Sequence, residues 1–215
     1  MDLCPSPRIA LGLAILAVGC GTNAPEIPPE LLTPSPVASD HYAAGPYGVE
    51  VSDTIEDLTF QGWLDPAAAG FDAAAFESIS FSDFYDPDGD AGRELLLVNT
   101  TAVWCQSCRI EHASLPDRYR TFGPRGLVIL ALMYQNGNQQ PAIAKDLEVW
   151  TRQFETNFPM ALDPDFLMGR FIPADVAPLN LLVDARTMTV IARFVGDQDA
   201  VIWPTIETVL ADRGR

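Results

Sequence analysis

Residues 94–111 read Glu-Leu-Leu-Leu-Val-Asn-Thr-Thr-Ala-Val-Trp-Cys-Gln-Ser-Cys-Arg-Ile-Glu and contain the strongest structural signal in the 215-residue chain. The apolar run at 94–99 shows no polar alternation, which is typical of a strand buried on both faces of a sheet. A helix is predicted over about 105–122. The segment therefore predicts a buried strand that leads into a helix, with Cys105 and Cys108 at the start of that helix.

The segments that follow alternate between strand and helix. The predicted elements are a strand at 126–132, a helix at 141–154, a hairpin of 180–184 with 189–194, and a helix at about 199–212. We expect Pro116 to kink the first helix and Pro204 to shift the start of the last one. A strand–helix–strand unit followed by a hairpin and a helix predicts an α/β sandwich around a mixed sheet.

The N-terminus has the pattern of an export signal. Arg8 precedes the apolar run 9–18, which is shorter than the roughly 20 residues needed to span a bilayer. Gly19 and Cys20 follow, and this arrangement resembles a bacterial lipobox, in which the cysteine carries a lipid. We predict a signal peptide at 1–19 and lipidation of Cys20, with ordinary secretion as the alternative.

A tether is predicted after the lipid site. Residues 20–46 are rich in Pro, Ser and Ala, a composition that favours extended backbone over a packed core. The folded domain is predicted over 47–215, with candidate strands at 58–63 and 79–84, the second of which is also compatible with a short helical turn. We expect the protein at the cell envelope, anchored in a membrane and facing the periplasm or the outside.

The charge of the chain excludes one class of partner. Asp and Glu together number 29 against 13 Lys and Arg, which gives a formal net charge of −16. No basic stripe is available to follow a phosphate backbone, so a nucleic-acid partner is not expected. Electrostatic attachment to anionic lipid is disfavoured for the same reason.

The cysteines indicate thiol chemistry. Of the four cysteines, Cys4 falls in the predicted signal peptide and Cys20 is the predicted lipid site, so Cys105 and Cys108 remain as one close pair. Positions three apart on a helix lie on one face, within reach of a disulfide. The free N–H groups at a helix N-terminus favour a thiolate. We therefore predict Cys105 as the nucleophile and Cys108 as the resolving thiol.

A zinc site is the main alternative use of the cysteine pair. A structural zinc ion needs four ligands. His112 is four residues beyond Cys108 and would be a third ligand, whereas the only other histidine, His41, lies in the predicted tether. We predict no metal and no cofactor apart from the disulfide itself, and we expect His112 on the helix surface.

The stretch from Asn99 to Glu111 resembles the active-site segment of the ResA/TlpA-like thiol–disulfide oxidoreductases of the thioredoxin superfamily, and a weaker resemblance covers about 47–212. It implies a thioredoxin-like three-layer sandwich with a mixed central sheet and an N-terminal extension. It also implies disulfide exchange with exported proteins, as a reductase more than an oxidant, and a membrane electron donor or acceptor that recycles the pair.

The resemblance also implies roles for residues near the pair. Glu111 stands where these proteins place a glutamate that handles the proton of the resolving cysteine, and Asn99 stands where this branch often has asparagine. A solvated carboxylate on the helix surface is the alternative for Glu111. If Glu111 is buried, desolvation should raise its pKa toward the range useful for proton transfer.

The resemblance also implies residues that contact the substrate beside the disulfide. Residues 177–184 resemble the segment whose proline is cis and faces the cysteines. This assigns Ala177 and Pro178 to substrate binding, with an ordinary trans proline as the alternative for Pro178. Trp104 is expected to pack on the domain and to shield the neighbouring sulfur.

Departures from the family pattern leave other functions open. The dipeptide Gln106-Ser107 lacks the usual proline, so the direction of electron flow is not predicted. A thiol peroxidase is one alternative, since residues 158–163 resemble peroxiredoxins, although Ala102 replaces the threonine that those enzymes keep three residues before the attacking cysteine. A copper-chaperone-like protein is another alternative, although such proteins have three residues between the cysteines and a distant histidine.

Overall fold

The structure is a computed structural model that describes residues 41–173 and 175–215. The predicted signal peptide, the lipidation of Cys20 and most of the tether lie outside the described residues. The strands are β1 (Thr59–Trp63), β2 (Glu77–Ser80), β3 (Leu95–Ala102), β4 (Leu127–Gln135), β5 (Met160–Leu162), β6 (Leu179–Asp184) and β7 (Thr189–Val195). The helices are α1 (Gln106–His112), α2 (Leu115–Phe122), α3 (Ala144–Gln153) and α4 (Asp199–Asp212).

The strands form one seven-stranded sheet in the order β2-β1-β5-β4-β3-β6-β7. Strand β3 is parallel to β4 and antiparallel to β6, and β4 is parallel to β5. The predicted mixed sheet is therefore confirmed. All eight residues of β3 are buried, as expected for a central strand covered on both faces.

The two faces of the sheet pack against different layers. Leu95 and Leu97 belong to an apolar cluster to which all four helices contribute buried side chains. Leu96 and Val98 point to the opposite face and join a second cluster. That cluster is covered by the N-terminal segment and by irregular stretches that include the 3-10 turns Phe81–Phe84 and Leu167–Arg170. The predicted three-layer sandwich is confirmed: helices α1 to α4 lie on one face of the sheet, and the irregular segments with the two 3-10 turns cover the other.

The predicted helix over 105–122 is two helices. Helix α1 ends at His112, and α2 begins at Leu115 with Pro116 in its first turn. A proline has no N–H to donate, and its ring clashes with the carbonyl group four residues earlier, which here is that of His112. The chain therefore breaks before the proline, and Pro116 occupies a position where a missing N–H costs little.

The expected effect of Pro204 is wrong. Helix α4 begins at Asp199, where it was predicted, and Pro204 lies inside it. Buried Trp203 and Ile206 flank the proline and pack in the first apolar cluster. Burial of these side chains on both sides of Pro204 keeps the helix continuous despite the hydrogen bond that proline cannot make.

Packing begins before the predicted domain boundary at 47. Tyr42 and Ala43 are buried in the second apolar cluster. The hydroxyl group of Tyr42 donates a hydrogen bond of 3.1 Å to the carbonyl oxygen of Ile55. The last residues of the predicted tether are thus part of the domain. None of the helices within the described residues has the length and apolar character needed to cross a membrane.

Candidate active site

The two cysteines form a disulfide at the start of α1, directly after the carboxyl end of β3. Their Cα atoms are 5.3 Å apart. Cys105 is the N-terminal cap of α1, and its Sγ accepts a hydrogen bond of 3.0 Å from the backbone N–H of Cys108. A backbone N–H directed at Sγ stabilises negative charge on that sulfur. Cys105 is 3% exposed and Cys108 is fully buried.

Glu111 lies one turn after Cys108 and is buried, with 7% of its surface exposed. Its Oε2 accepts a hydrogen bond of 2.6 Å from Nδ2 of Asn99, and its Oε1 accepts one of 2.5 Å from Nδ2 of Asn180. The two asparagines are partners in the register of β3 with β6. The sheet therefore presents both amides to Glu111, and the alternative of a solvated surface carboxylate is excluded.

Burial dominates the electrostatics of Glu111. Desolvation raises its pKa to about 7, while the hydrogen bonds from Asn180 and Asn99 act in the opposite direction. The negative charges of Asp199 and Asp197 raise the pKa further. A carboxyl group in this range exchanges its proton near neutral pH, which is the property required of a general acid and base.

The expectation that His112 lies on the helix surface is wrong. Its side chain is fully buried, because α1 lies beneath α3 and the ring packs at 5.2 Å from the ring of Trp150. Nε2 of His112 is 2.9 Å from Oδ1 of Asn99, and the indole N–H of Trp150 donates to Nδ1 at 2.9 Å. Burial lowers the pKa of His112 to about 3, so the ring is neutral at physiological pH.

The zinc alternative is weakened by the same contacts. Both ring nitrogens of His112 are already hydrogen-bonded, so this histidine does not offer a lone pair beside the cysteines. Within 41–173 and 175–215, no group of three or more His, Cys, Asp or Glu side chains is arranged to hold a metal ion.

The residues predicted to contact a substrate lie around the first apolar cluster, which also contains Cys105 and Cys108. Trp104 is half-buried and packs on the apolar cluster that contains both cysteines, and its indole N–H donates to Oε1 of Gln135 at 2.9 Å. Ala177 packs on the same cluster, and the peptide bond between Ala177 and Pro178 is cis. The carbonyl oxygen of Pro178 accepts a hydrogen bond of 2.8 Å from the N–H of Gly196. The backbone of Ala177 makes no hydrogen bond to another described residue.

Two residues of the site were missed by the sequence reasoning. The sequence predicts a strand that contains Asn180 and a helix that contains Trp150, with no role at the site for either. A signal existed for Asn180, because a polar amide at the start of an otherwise apolar strand requires a buried partner. For Trp150 no local signal exists, since its hydrogen-bond partner His112 is 38 positions earlier in the chain.

Comparison with known proteins finds relatives that are named thiol:disulfide interchange proteins. The thiol:disulfide interchange protein DsbE of Pseudomonas fluorescens biotype C is 31% identical over 108 residues, which cover 50% of this chain and 54% of that relative. The DsbE of Pseudomonas aeruginosa is 26% identical over 153 residues, or 67% of this chain and 79% of that relative. The match to the first relative thus spans about half of its length.

The fold is shared with solved structures. A thiol:disulfide interchange protein DsbE from Chlorobium tepidum superposes with a TM-score of 0.58 at 18% identity, covering 76% of this chain and 99% of that protein. This similarity supports the predicted thioredoxin-like architecture. Residues 51–196 match the family model described as AhpC/TSA, and the chain belongs to the AhpC/TSA family.

Proposed function

We propose that this chain is a thiol–disulfide oxidoreductase that reduces disulfides of exported proteins through Cys105 and Cys108. The observation that carries the proposal is the Cys105–Cys108 disulfide at the start of α1, with buried Glu111 one turn further along. The DsbE relatives are thiol:disulfide interchange proteins by name, which supports the same reaction class for this chain.

The proposed reaction has two exchange steps. In the reduced protein, the thiolate of Cys105 attacks one sulfur of a substrate disulfide and forms a mixed disulfide, releasing the other substrate sulfur as a thiolate. Cys108 then gives its proton to Glu111 and attacks Sγ of Cys105. This step forms the Cys105–Cys108 disulfide and releases the second substrate sulfur as a thiolate. Two electrons have passed to the substrate, and a membrane dithiol donor returns them to the pair.

Substrate docking is proposed beside Ala177. The backbone N–H and C=O groups of Ala177, which make no hydrogen bond to another described residue, are suited to pairing with an extended substrate chain, as in other modes of β-strand addition. The indole N–H of Trp104 donates a hydrogen bond to Gln135, and its ring packs on the first apolar cluster. We therefore propose that Trp104 forms the opposite wall of the docking site. Pro178 contributes shape, since its carbonyl oxygen is already bonded to Gly196.

Trapping of the intermediate tests the proposal. The Cys108→Ser variant lacks the resolving thiol, so we expect a stable mixed disulfide between Cys105 and a substrate protein, identified by mass spectrometry after thiol blocking. The matched control is the double variant Cys105→Ser with Cys108→Ser, which should trap nothing. Failure of Cys108→Ser to form an adduct with any disulfide-bonded protein would remove the proposal.

The same variants separate the alternatives. Rapid formation of a sulfenic acid on Cys105 with hydrogen peroxide, faster than exchange with protein disulfides, would favour a thiol peroxidase. Against this alternative, Ala102 is buried and offers no hydroxyl group beside Cys105. Stoichiometric copper or zinc in the purified protein would favour the metal-binding alternative.

We further propose that Cys20 is lipidated and that the Pro-rich tether holds the domain away from a membrane on the periplasmic or outer side. The motif at the N-terminus supports this location, and secretion without a lipid is the alternative. When the full chain is expressed in a bacterium, we expect it in the membrane fraction, whereas Cys20→Ser should move it to the soluble fraction. An unchanged distribution would contradict the lipid anchor.

A further inference from the structure

The hydrogen bonds that connect Trp150 to Glu111 have a single possible direction. An indole N–H only donates, and its acceptor here is Nδ1 of His112 at 2.9 Å. A neutral imidazole carries one proton, which must then be on Nε2. Nε2 therefore donates to Oδ1 of Asn99 at 2.9 Å. Since His112 occupies Oδ1, the amide nitrogen of Asn99 has to face Glu111.

The orientation of the Asn99 amide also fixes that of the Asn180 amide. Nδ2 of Asn99 has two hydrogens, and they point to Oε2 of Glu111 at 2.6 Å and to Oδ1 of Asn180 at 2.9 Å. Because Oδ1 of Asn180 accepts from Asn99, its Nδ2 is left to donate to Oε1 of Glu111 at 2.5 Å. Each carboxylate oxygen thus receives one amide N–H, and both amide orientations follow from the N–H of Trp150.

We propose that Trp150 and His112 are positioning residues that fix the amide of Asn99, and through it that of Asn180, so that Glu111 always faces two hydrogen-bond donors. Trp150 is 2% exposed and His112 is fully buried, so both act on the reaction through Asn99 without touching a substrate. The inference rests on the proposed function in one respect, which is the role of Glu111 as the acceptor of the Cys108 proton.

Two acidic residues near Glu111 disfavour its charged form. Asp197 and Asp199 raise the pKa of Glu111 in addition to its burial, and Asp199 is partly offset by its ion pair with Arg118. On the other side, the guanidinium group of Arg109 lies 5.1 Å from the centre of the Trp150 ring. The two amides are the groups that lower the pKa of Glu111 against the larger effect of burial, so their orientation changes how readily Glu111 gives up its proton.

The test removes the indole N–H of Trp150, which lies at the end of this series of hydrogen bonds farthest from Glu111. Trp150→Phe keeps an aromatic ring but leaves Nδ1 of His112 without a donor. The proton of His112 is then free to move to Nδ1, and Asn99 can turn its carbonyl oxygen toward Glu111. We expect the pKa of Glu111 to rise by about one unit or more. The measurement is a 13C NMR titration of the glutamate carboxyl groups in the oxidised protein, with Glu111→Gln to assign the signal.

A neighbouring residue on α3 provides the matched control. Thr151 is buried, and its hydroxyl group has no hydrogen-bond partner among the described residues. Thr151→Val therefore changes a buried side chain of α3 without removing a hydrogen bond to a described residue, and it should leave the titration of Glu111 unchanged. His112→Leu removes the donor to Asn99 directly and should reproduce the effect of Trp150→Phe, which covers the case in which that variant folds poorly.

The tautomer of His112 is a further readout that needs no substitution. The 15N shifts of the wild-type ring should report a protonated Nε2 and an unprotonated Nδ1. A protonated Nδ1 in the wild type, or a Glu111 titration in Trp150→Phe that matches Thr151→Val, would overturn the inference. The proposed function fails separately: a protein without exchange activity that shows the expected titrations would refute the activity and keep the positioning role.

Discussion

At the residue scale, the carboxyl group of Glu111 is subject to two opposing effects. Burial disfavours its charged form, whereas the amides of Asn99 and Asn180 favour that form. Burial is the larger effect and brings the pKa of Glu111 to about 7. The group is therefore divided between its protonated and charged forms near neutral pH. In the proposed mechanism, this balance suits Glu111 to accept a proton from Cys108 and to release the proton again.

Replacement of Glu111 by Gln should slow resolution of the mixed disulfide. The amide cannot accept the proton of Cys108, so we expect the rate near pH 7 to fall by about 100-fold, a typical loss when a general acid or base is removed. The step in the pH–rate profile near pH 7 should disappear as well. Stopped-flow exchange with a disulfide substrate measures both effects. Glu207→Gln, which alters an exposed carboxylate of α4, is the control and should keep the wild-type profile.

The stability of the oxidised protein should depend on pH through the same group. The pKa of Glu111 is about 7 when folded against 4.5 as its ordinary value, so the folded state holds this proton more tightly. The resulting stabilisation is fully present below pH 4.5 and is lost as the pH rises through 7. Its size is at most about 3 kcal/mol.

Urea unfolding at pH 5 and pH 8 measures this contribution by comparing the wild type with Glu111→Gln. His112 has a depressed pKa of about 3, so its contribution is present above its ordinary value of 6.5 and is lost as the pH falls toward 3. That opposite trend is common to both proteins and cancels in the comparison. An equal pH dependence in wild type and variant would show that Glu111 is not the group that titrates.

The sequence predicted the positions of Cys105, Cys108 and Glu111 better than the positions of the residues around them. The spacing of Cys105, Cys108 and Glu111 within one short helix is local, so the pattern indicates their shared face without knowledge of the rest of the fold. The burial of His112 depends on α3, which packs over α1 from a later part of the chain. No local pattern reports such a contact, and the histidine was accordingly misplaced on the surface.

At the scale of elements, the long apolar runs identified the central strands and the short strand β5 went undetected. Strand β5 has only three residues, Met160–Leu162, which is too few for a hydrophobic period to be recognised. It nevertheless joins two parts of the sheet, because it pairs parallel to β4 and antiparallel to β1. The N-terminal hairpin β1–β2 is therefore attached to the rest of the sheet through these three residues.

Substitution of Gly62 by Ala tests this attachment. Gly62 pairs with Ala161, and a Cβ atom at position 62 would come within 2.1 Å of the carbonyl oxygen of Met160. The strands would have to separate, so we expect a loss of about 2–4 kcal/mol in the free energy of unfolding. Denaturant unfolding measures it. Gln61→Ala alters the adjacent, exposed side chain of β1 and should cost far less; equal losses would contradict this account of the β1–β5 contact.

At the scale of the whole molecule, the charge of the chain acts on its encounters with other proteins. A formal net charge of −16 produces a long-range field that attracts basic proteins and repels acidic ones. The proposed exchange would take place at Cys105, which is 3% exposed, and would not require this charge. The field should therefore alter the rate of association with a substrate and leave the later exchange steps unchanged.

The salt dependence of exchange separates these two contributions. Raising the ionic strength from about 0.01 M to about 1 M shortens the screening length from about 30 Å to about 3 Å. We expect second-order exchange with a basic disulfide-bonded protein to slow by about tenfold or more over this range, and exchange with an acidic one to become faster. A small uncharged disulfide serves as the control, since its rate should stay constant if the thiol chemistry itself is insensitive to salt. The same trend for basic and acidic substrates would mean that the acidic surface does not steer association.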